Sequence, residues 1–230
     1  MTAVLYLTFR LRGLPRTYVD ESSVQQLIKT LFSIQPAGVT VFSLANSPVD
    51  SETRVATLSF RRVPLELCDN SMGQWTFDHP PYDDAQNKAT TRKYQLVFDT
   101  HFRGLTPLHR QPDFGCSVEY GFETSSGTTS LLLTPAISVL AISGLGGHAF
   151  GSFKVRAGPF MWLRDALPYN LPQARIFIYG FDTQLPNSQS FQSLDDLGKG
   201  FIDLALEAIT TAQTVRIPII TNKVSRYSHG

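Results

Sequence analysis

Cysteine is nearly missing from the chain. Cys68 and Cys116, two residues in 230, are too few for a disulfide framework and too far apart in sequence for a local metal site. A reducing, intracellular and most simply cytoplasmic setting is the expectation. An excess of one charge is missing too. The chain has 20 Lys and Arg against 19 Asp and Glu, a formal +1, which removes the electrostatic argument for nucleic acid or an anionic membrane as partner. No long apolar run is present. The most apolar stretch, Leu131 to Ile142, is interrupted by Thr134, Pro135 and Ser138 and is too short to span a bilayer. The N-terminal residues carry Arg10, Arg12 and Arg16 on an alternating pattern, unlike the basic-then-apolar order of a signal peptide. With 42% hydrophobic and 17% charged residues, a soluble globular chain is expected, long enough for one large domain or two small ones.

What is present begins with periodicity. Leu5, Leu7, Phe9 and Leu11 alternate with Tyr6, Thr8, Arg10 and Arg12, predicting a half-buried strand that ends at Gly13 and Pro15. Asp20 is placed to cap a helix whose apolar stripe is Val24, Leu27, Ile28, Leu31 and Phe32. Strands follow at Val39 to Leu44 and Arg54 to Phe60, then a short helical piece near Pro64 to Cys68 and a strand around Trp75 to Phe77. The order β-α-β-β-α-β predicts a small ferredoxin-like α+β unit over residues 1–80. RNA-recognition domains share that fold, but they stack bases on aromatic side chains of two strands. Here Arg10, Val55 and Thr57 stand at those positions, so nucleic acid is not the expected partner.

Residues 81–135 read as a linker and irregular segment with one strand, Tyr94 to Asp99, followed by the turn-rich FRGLTPLHR. From residue 136 to 221 strands and helices alternate, as in a parallel sheet with crossovers. Strands are expected at Ile137 to Ser143, Ala174 to Tyr179 and Ile217 to Ile220, with helices at Met161 to Leu167 and from Ser193 onward. Residues 222–230 read as a disordered tail.

The chemistry-bearing segment is AISGLGGHAFGSFK, Ala141 to Lys154, a strand running into glycines. Gly144, Gly146 and Ala149 formally match G-x-G-x-x-A, yet Phe150 to Phe160 holds Gly151, Gly158 and Pro159 and does not predict the helix that a pyrophosphate needs. Gly146 and Gly151 have the spacing of a phosphate loop, but Ser152 and Phe153 replace its lysine and hydroxyl. A third reading is an oxyanion-hole loop, in which small residues let backbone N–H groups face a developing negative charge. Its members are Gly144, Leu145, Gly146, Gly147 and His148, with Leu145 and Gly146 as amide donors. A tight strand exit with no ligand is the fourth. No cofactor or metal ligand set is predicted.

Four blocks in order, ISGLGGHAFGSFK, MWLRDALP, ARIFIYGFDT and SFQSLDDLGKGF, resemble a fungal α/β-hydrolase-like family related to the serine active site-containing proteins and to lipase-like serine esterases. More loosely, FRLRGLP, ATLSF and FDTHFRGLTPL resemble the segments preceding that hydrolase module. The resemblance implies the N-terminal half of an α/β-hydrolase parallel sheet and assigns the glycine loop to the oxyanion side. It also implies peripheral association with mitochondrial or endoplasmic-reticulum membranes, and a role at the front of larger fungal signalling proteins with protein partners for the N-terminal unit. The family's nucleophile lies in a G-x-S-x-G elbow after the strand matched by Ile217 to Ile220. Here TNKVSRYSHG follows, a departure expected of a gene-model or splicing artefact. Ser225 and Ser228 lack the flanking glycines, Asp182 precedes the nucleophile position and reads as a turn residue, and His229 falls in the tail. His148 is expected to make a local hydrogen bond. A serine-hydrolase-like chain without its Ser-His-Asp triad, inactive as it stands, is the expectation, with a non-catalytic interaction module as the alternative.

Overall fold

The computed structural model describes residues 7–68, 73–80, 93–109, 138–144, 147–156, 158–172, 174–181, 196, 198–203, 206 and 219–222. They form a mixed α/β structure with two sheets, one five-stranded and antiparallel, the other four-stranded and mixed.

The first sheet is built from β1 (Thr8–Pro15), β2 (Val39–Asn46), β3 (Thr53–Phe60), β4 (Gln74–Asp78) and β5 (Gln95–Asp99), in the order β2-β3-β1-β5-β4. Helix α1 (Glu21–Phe32) starts where the sequence places it, with the Asp20 carboxylate accepting the Ser23 N–H at 2.7 Å. It buries Val24, Leu27, Ile28 and Phe32 against Phe9, Leu11, Ala56, Leu58, Leu96 and Phe98. Each such side chain contributes about 1.5–3 kcal/mol by leaving water. β1 carries a bulge between Leu11 and Leu14, with Gly13 at φ 81°, and ends at Pro15.

Three expectations about this unit change. The β2-β3-β1 part follows the ferredoxin-like order, but Gln95–Asp99, assigned above to the linker, is a central strand between β1 and β4. The expected strand around Trp75 to Phe77 is present and forms the edge of the sheet. The expected second helix is one 3-10 turn, Leu65–Leu67. Nor is β1 half-buried. Arg10 stands in register with Thr57 on one side and Asp99 on the other, and Thr57 hydrogen-bonds Ser43 at 2.6 Å. This polar row crosses the face opposite α1, and all four side chains are buried. The positions weighed for base stacking, Val55 and Thr57, lie on that same enclosed face.

The second sheet contains β6 (Gly104–Pro107), β7 (Ser138–Ser143), β8 (Arg175–Gly180) and β9 (Ile219–Asn222), in the order β6-β8-β7-β9. β7 is parallel to both β8 and β9, and β6 is antiparallel to β8. The segment FRGLTPLHR, read as turns, thus holds a strand. Its Pro107 is tolerated at the end of an edge strand, where a missing N–H removes little. The expected helix Met161 to Leu167 is two short pieces, α2 (Trp162–Asp165) and α3 (Leu167–Asn170), with Pro168 at the start of the second instead of at an end. The expected helix cap at Ser193 lies outside the described residues; residues 198–203 are helical. Of the linker assigned above to 81–135, residues 81–92 and 110–135 lie outside them, as do residues 223–230 of the tail; Asn222, assigned to that tail, instead ends β9.

Two cations tie the first sheet to elements that follow it in the chain. Arg10, with 1% of its surface exposed, donates from Nε to Asp99 at 2.8 Å, from Nη1 to Thr106 of β6 at 2.7 Å and from Nη2 to the Arg103 carbonyl at 2.8 Å. Arg164 of α2 pairs with Asp165 through both nitrogen–oxygen contacts, at 2.5 and 2.7 Å, and places its guanidinium 4.2 Å from the Phe42 ring centre on β2. Phe42 is the extra residue of a bulge between Val41 and Ser43, which turns it toward this contact.

Removing one partner of a buried ion pair strands the other charge. Arg10→Met is therefore expected to lower unfolding free energy in urea by about 3–5 kcal/mol, and Arg10→Met with Asp99→Leu to recover a large part of it. Equal destabilisation by the single and double variants would show that the charge pair is not the cause.

Candidate functional site

From β7 the chain crosses to β8 on one side and later returns to β9 on the other. Consecutive connections leaving in opposite directions make a topological switch point between β7 and β9, and open α/β sheets place ligands in the crevice outside the carboxyl ends of such strands. At this end Ser143, the last residue of β7, is in register with Asn222 of β9. Gly144 follows Ser143 directly, so the glycine loop singled out in the sequence opens at the switch point.

The two described ends of the loop are joined. The Gly147 N–H donates to the Gly144 carbonyl at 2.9 Å. Leu145 and Gly146, the amide donors of the oxyanion reading, lie outside the described residues. After the loop comes a 3-10 turn, Gly151–Phe153, and then a segment in which Lys154 bridges Met161. Among the described residues no helix N-terminus follows the loop to meet a pyrophosphate, which removes the support for the dinucleotide reading. Asp165 accepts the Met161 N–H at 2.7 Å and pairs with Arg164, which occupies it structurally.

His148 has both ring nitrogens engaged. Nδ1 accepts from the Gly151 N–H at 2.9 Å and the Phe150 N–H at 3.2 Å, so the ring proton resides on Nε2, which donates to the Thr100 carbonyl at 2.7 Å. The expected local hydrogen bond is present and is one of three. With Nδ1 taken by amides and Nε2 by a carbonyl, the imidazole has no lone pair free to act as a general base. Its role is to tie the glycine loop to the turn between β5 and β6.

That turn is held from both sides. Asp99 Oδ1 accepts the Phe102 N–H at 2.9 Å, and the His101 Nδ1 accepts the Arg103 N–H at 3.1 Å. Phe102 adopts φ 54°, a strained backbone for a bulky residue that persists because its surroundings over-determine it. Its ring stacks on Phe150 with centres 4.8 Å apart and meets the His148 ring edge-on. Gly180, ending β8, lies against the Phe102 carbonyl so closely that any Cβ there would collide with it. Beside this turn, burial pushes the His101 pKa below its ordinary 6.5; Asp99 opposes the shift, while Arg10, Arg103 and Arg12 add to it. Burial lowers the pKa of His109 as well.

One site residue carries no sequence signal. Ser143 is 3% exposed, and among the described residues its hydroxyl has no hydrogen-bond partner. Asp182, Ser225, Ser228 and His229 lie outside the described residues. Among those described, no group of three or more His, Cys, Asp or Glu gathers as a metal site, and no helix is long and apolar enough to cross a membrane.

Two outcomes are expected. His148→Ala removes three hydrogen bonds and lowers stability by about 1–3 kcal/mol, with faster amide exchange at Phe150 and Gly151; unchanged exchange there would argue against the tie. For pH, the fold disfavours imidazolium at His101 and His109, so the unfolded chain takes up protons first. Urea stability then falls as pH is lowered from about 7 to about 5, and His101→Gln reduces that slope. A slope unaltered in this variant would exclude His101 as a source.

No family model, no curated protein and no solved structure matches the chain.

Proposed function

We propose that the second sheet is the first part of an α/β-hydrolase sheet, and that its switch-point crevice receives the oxygen of an acyl group without hydrolysing it. The observation that supports this reading is the placement of the glycine loop. It leaves the carboxyl end of β7 with parallel β9 alongside, and hydrolases of this kind draw an oxyanion-hole N–H from a loop that follows a sheet strand. The four blocks that resemble the serine esterase-like family span this same sheet. The mixed order, with antiparallel β6 outside β8, accommodates the start of a hydrolase sheet better than a purely parallel nucleotide-binding one.

Binding without turnover follows from the residues. The chain contains no G-x-S-x-G, and His148 is committed at both nitrogens. Nucleophile and base must be within reach of each other for triad chemistry, and neither is supplied. A second reading, a protein-interaction module, is favoured by one surface feature. Val155 and Phe160 are joined by a backbone hydrogen bond of 2.8 Å, and their side chains, with that of Trp162, are exposed.

Hexanoate, whose carboxylate stands in for an oxyanion, separates the two. Saturation-transfer NMR on the purified chain is expected to show hexanoate bound, while a fluorophosphonate probe leaves the protein unlabelled. Stoichiometric labelling would overturn the absence of turnover. No transfer to hexanoate would overturn the acyl-receptor reading and leave the interaction module.

A further inference from the structure

We infer that Ser143 is the side-chain donor of this site, hydrogen-bonding the acyl or carboxylate oxygen of the ligand beside the glycine loop. The inference rests on the functional reading above and adds to it a residue that the glycine pattern does not contain.

A buried hydroxyl without a partner is costly, because water satisfies it in the unfolded chain and nothing replaces that water on folding. Ser143 is such a group, at 3% exposure. Its place makes the cost intelligible: it ends β7 at the switch point, where a ligand oxygen would arrive. The side chain stands on the loop side. Its Cβ lies 3.4 Å from where a Cβ on Gly147 would be, and that absent atom would also meet Ser152 Oγ at 2.8 Å and the Gly144 carbonyl at 2.9 Å. Glycine at 147 is thus required by close packing beside Ser143, and any side chain there would displace the atoms around the hydroxyl.

The donor is also held in place. β7 is paired on both sides, and Gly144 and Gly147 beside it are joined by a hydrogen bond, with His148 anchored next to them. A hydroxyl on a strand end with a restrained loop beside it costs little reorganisation when a charge arrives. The hydroxyl donates one proton, so it suits a single oxygen of a carbonyl or carboxylate. It is not a nucleophile here, since His148 has no free nitrogen to accept its proton. Ser143 therefore recognises the ligand and does not react with it.

The test measures affinity and stability on the same variants. Ser143→Ala is expected to weaken hexanoate binding by about tenfold and, by removing an unsatisfied buried group, to raise Tm by about 2–4 °C. That pairing distinguishes a ligand donor from a structural hydroxyl, whose loss would lower Tm. Gly147→Ala is expected to abolish binding. Ser143→Cys, similar in volume but a weak donor, repeats the affinity measurement should the alanine variant misfold. Hexanoate binding that Gly147→Ala abolishes but neither Ser143 variant weakens would overturn the assignment of Ser143 while keeping the site. A lower Tm in Ser143→Ala would overturn it as well. Failure of the unaltered protein to bind hexanoate would overturn the site and this assignment together.

Discussion

One enclosed ion pair of the first sheet, Arg10 with Asp99, holds the guanidinium that reaches the second sheet at Thr106. Arg10 and Asp99 are both enclosed, and enclosing two charges costs several kcal/mol per ion unless nearly every polar atom finds a partner. Here that condition is largely met. Arg10 divides its donors among Asp99, Thr106 and the Arg103 carbonyl, while Asp99 also accepts the Phe102 N–H. Burial lowers the Arg10 pKa and the Asp99 charge counters it, which describes a cation retained by its neighbours. Arg12 adds a second positive charge 3.2 Å from the same carboxylate, and it is the more exposed of the two arginines. The pair is therefore less a source of net stability than a device of position, since it tolerates little displacement of either sheet.

Position is what the candidate site needs from the rest of the molecule. Asp99 orders the turn that follows it, that turn presents the Thr100 carbonyl, and Thr100 receives His148 from the glycine loop. Two hydrogen bonds, with the turn between them, thus connect the centre of the first sheet to the switch point of the second. Phe102 and Phe150 add an apolar seal along the same line. Links of this kind restrain the residues around the glycine loop from outside the sheet that bears it.

Much of this could be read from residues alone, and the exceptions have physical causes. Asp20 and the stripe from Val24 to Phe32 announced α1 because capping and 3.6-residue periodicity are local properties. The apolar runs of β7 and β8 were equally plain. Arg10 misled, because a charged residue alternating with leucines signals solvent unless its partner is known, and that partner lies 89 residues away. β6 was hidden by Gly104 and Pro107 at its ends, which speak for turns when no neighbouring strand is visible. The position of β5 depends on long-range pairing that periodicity does not encode. At the site, the glycines marked the loop and His148 fulfilled its expected local role. Ser143 was silent, since a serine ending an apolar run is unremarkable until its burial and lack of a partner are known.

The short passage from β5 to β6 has a consequence for the order of assembly. Arg10 and Thr106 are 96 residues apart in sequence, so their contact closes a long loop, and the entropy of that closure must be met before the contact rewards it. Until both sheets have largely formed, the Arg10 and Asp99 side chains remain hydrated and no dry compartment exists to receive them. Their dehydration belongs near the end of folding, after α1 has covered the opposite face of the first sheet. The turn that steadies the glycine loop is therefore completed only when the molecule around it is, and partly folded chains would lack a formed crevice.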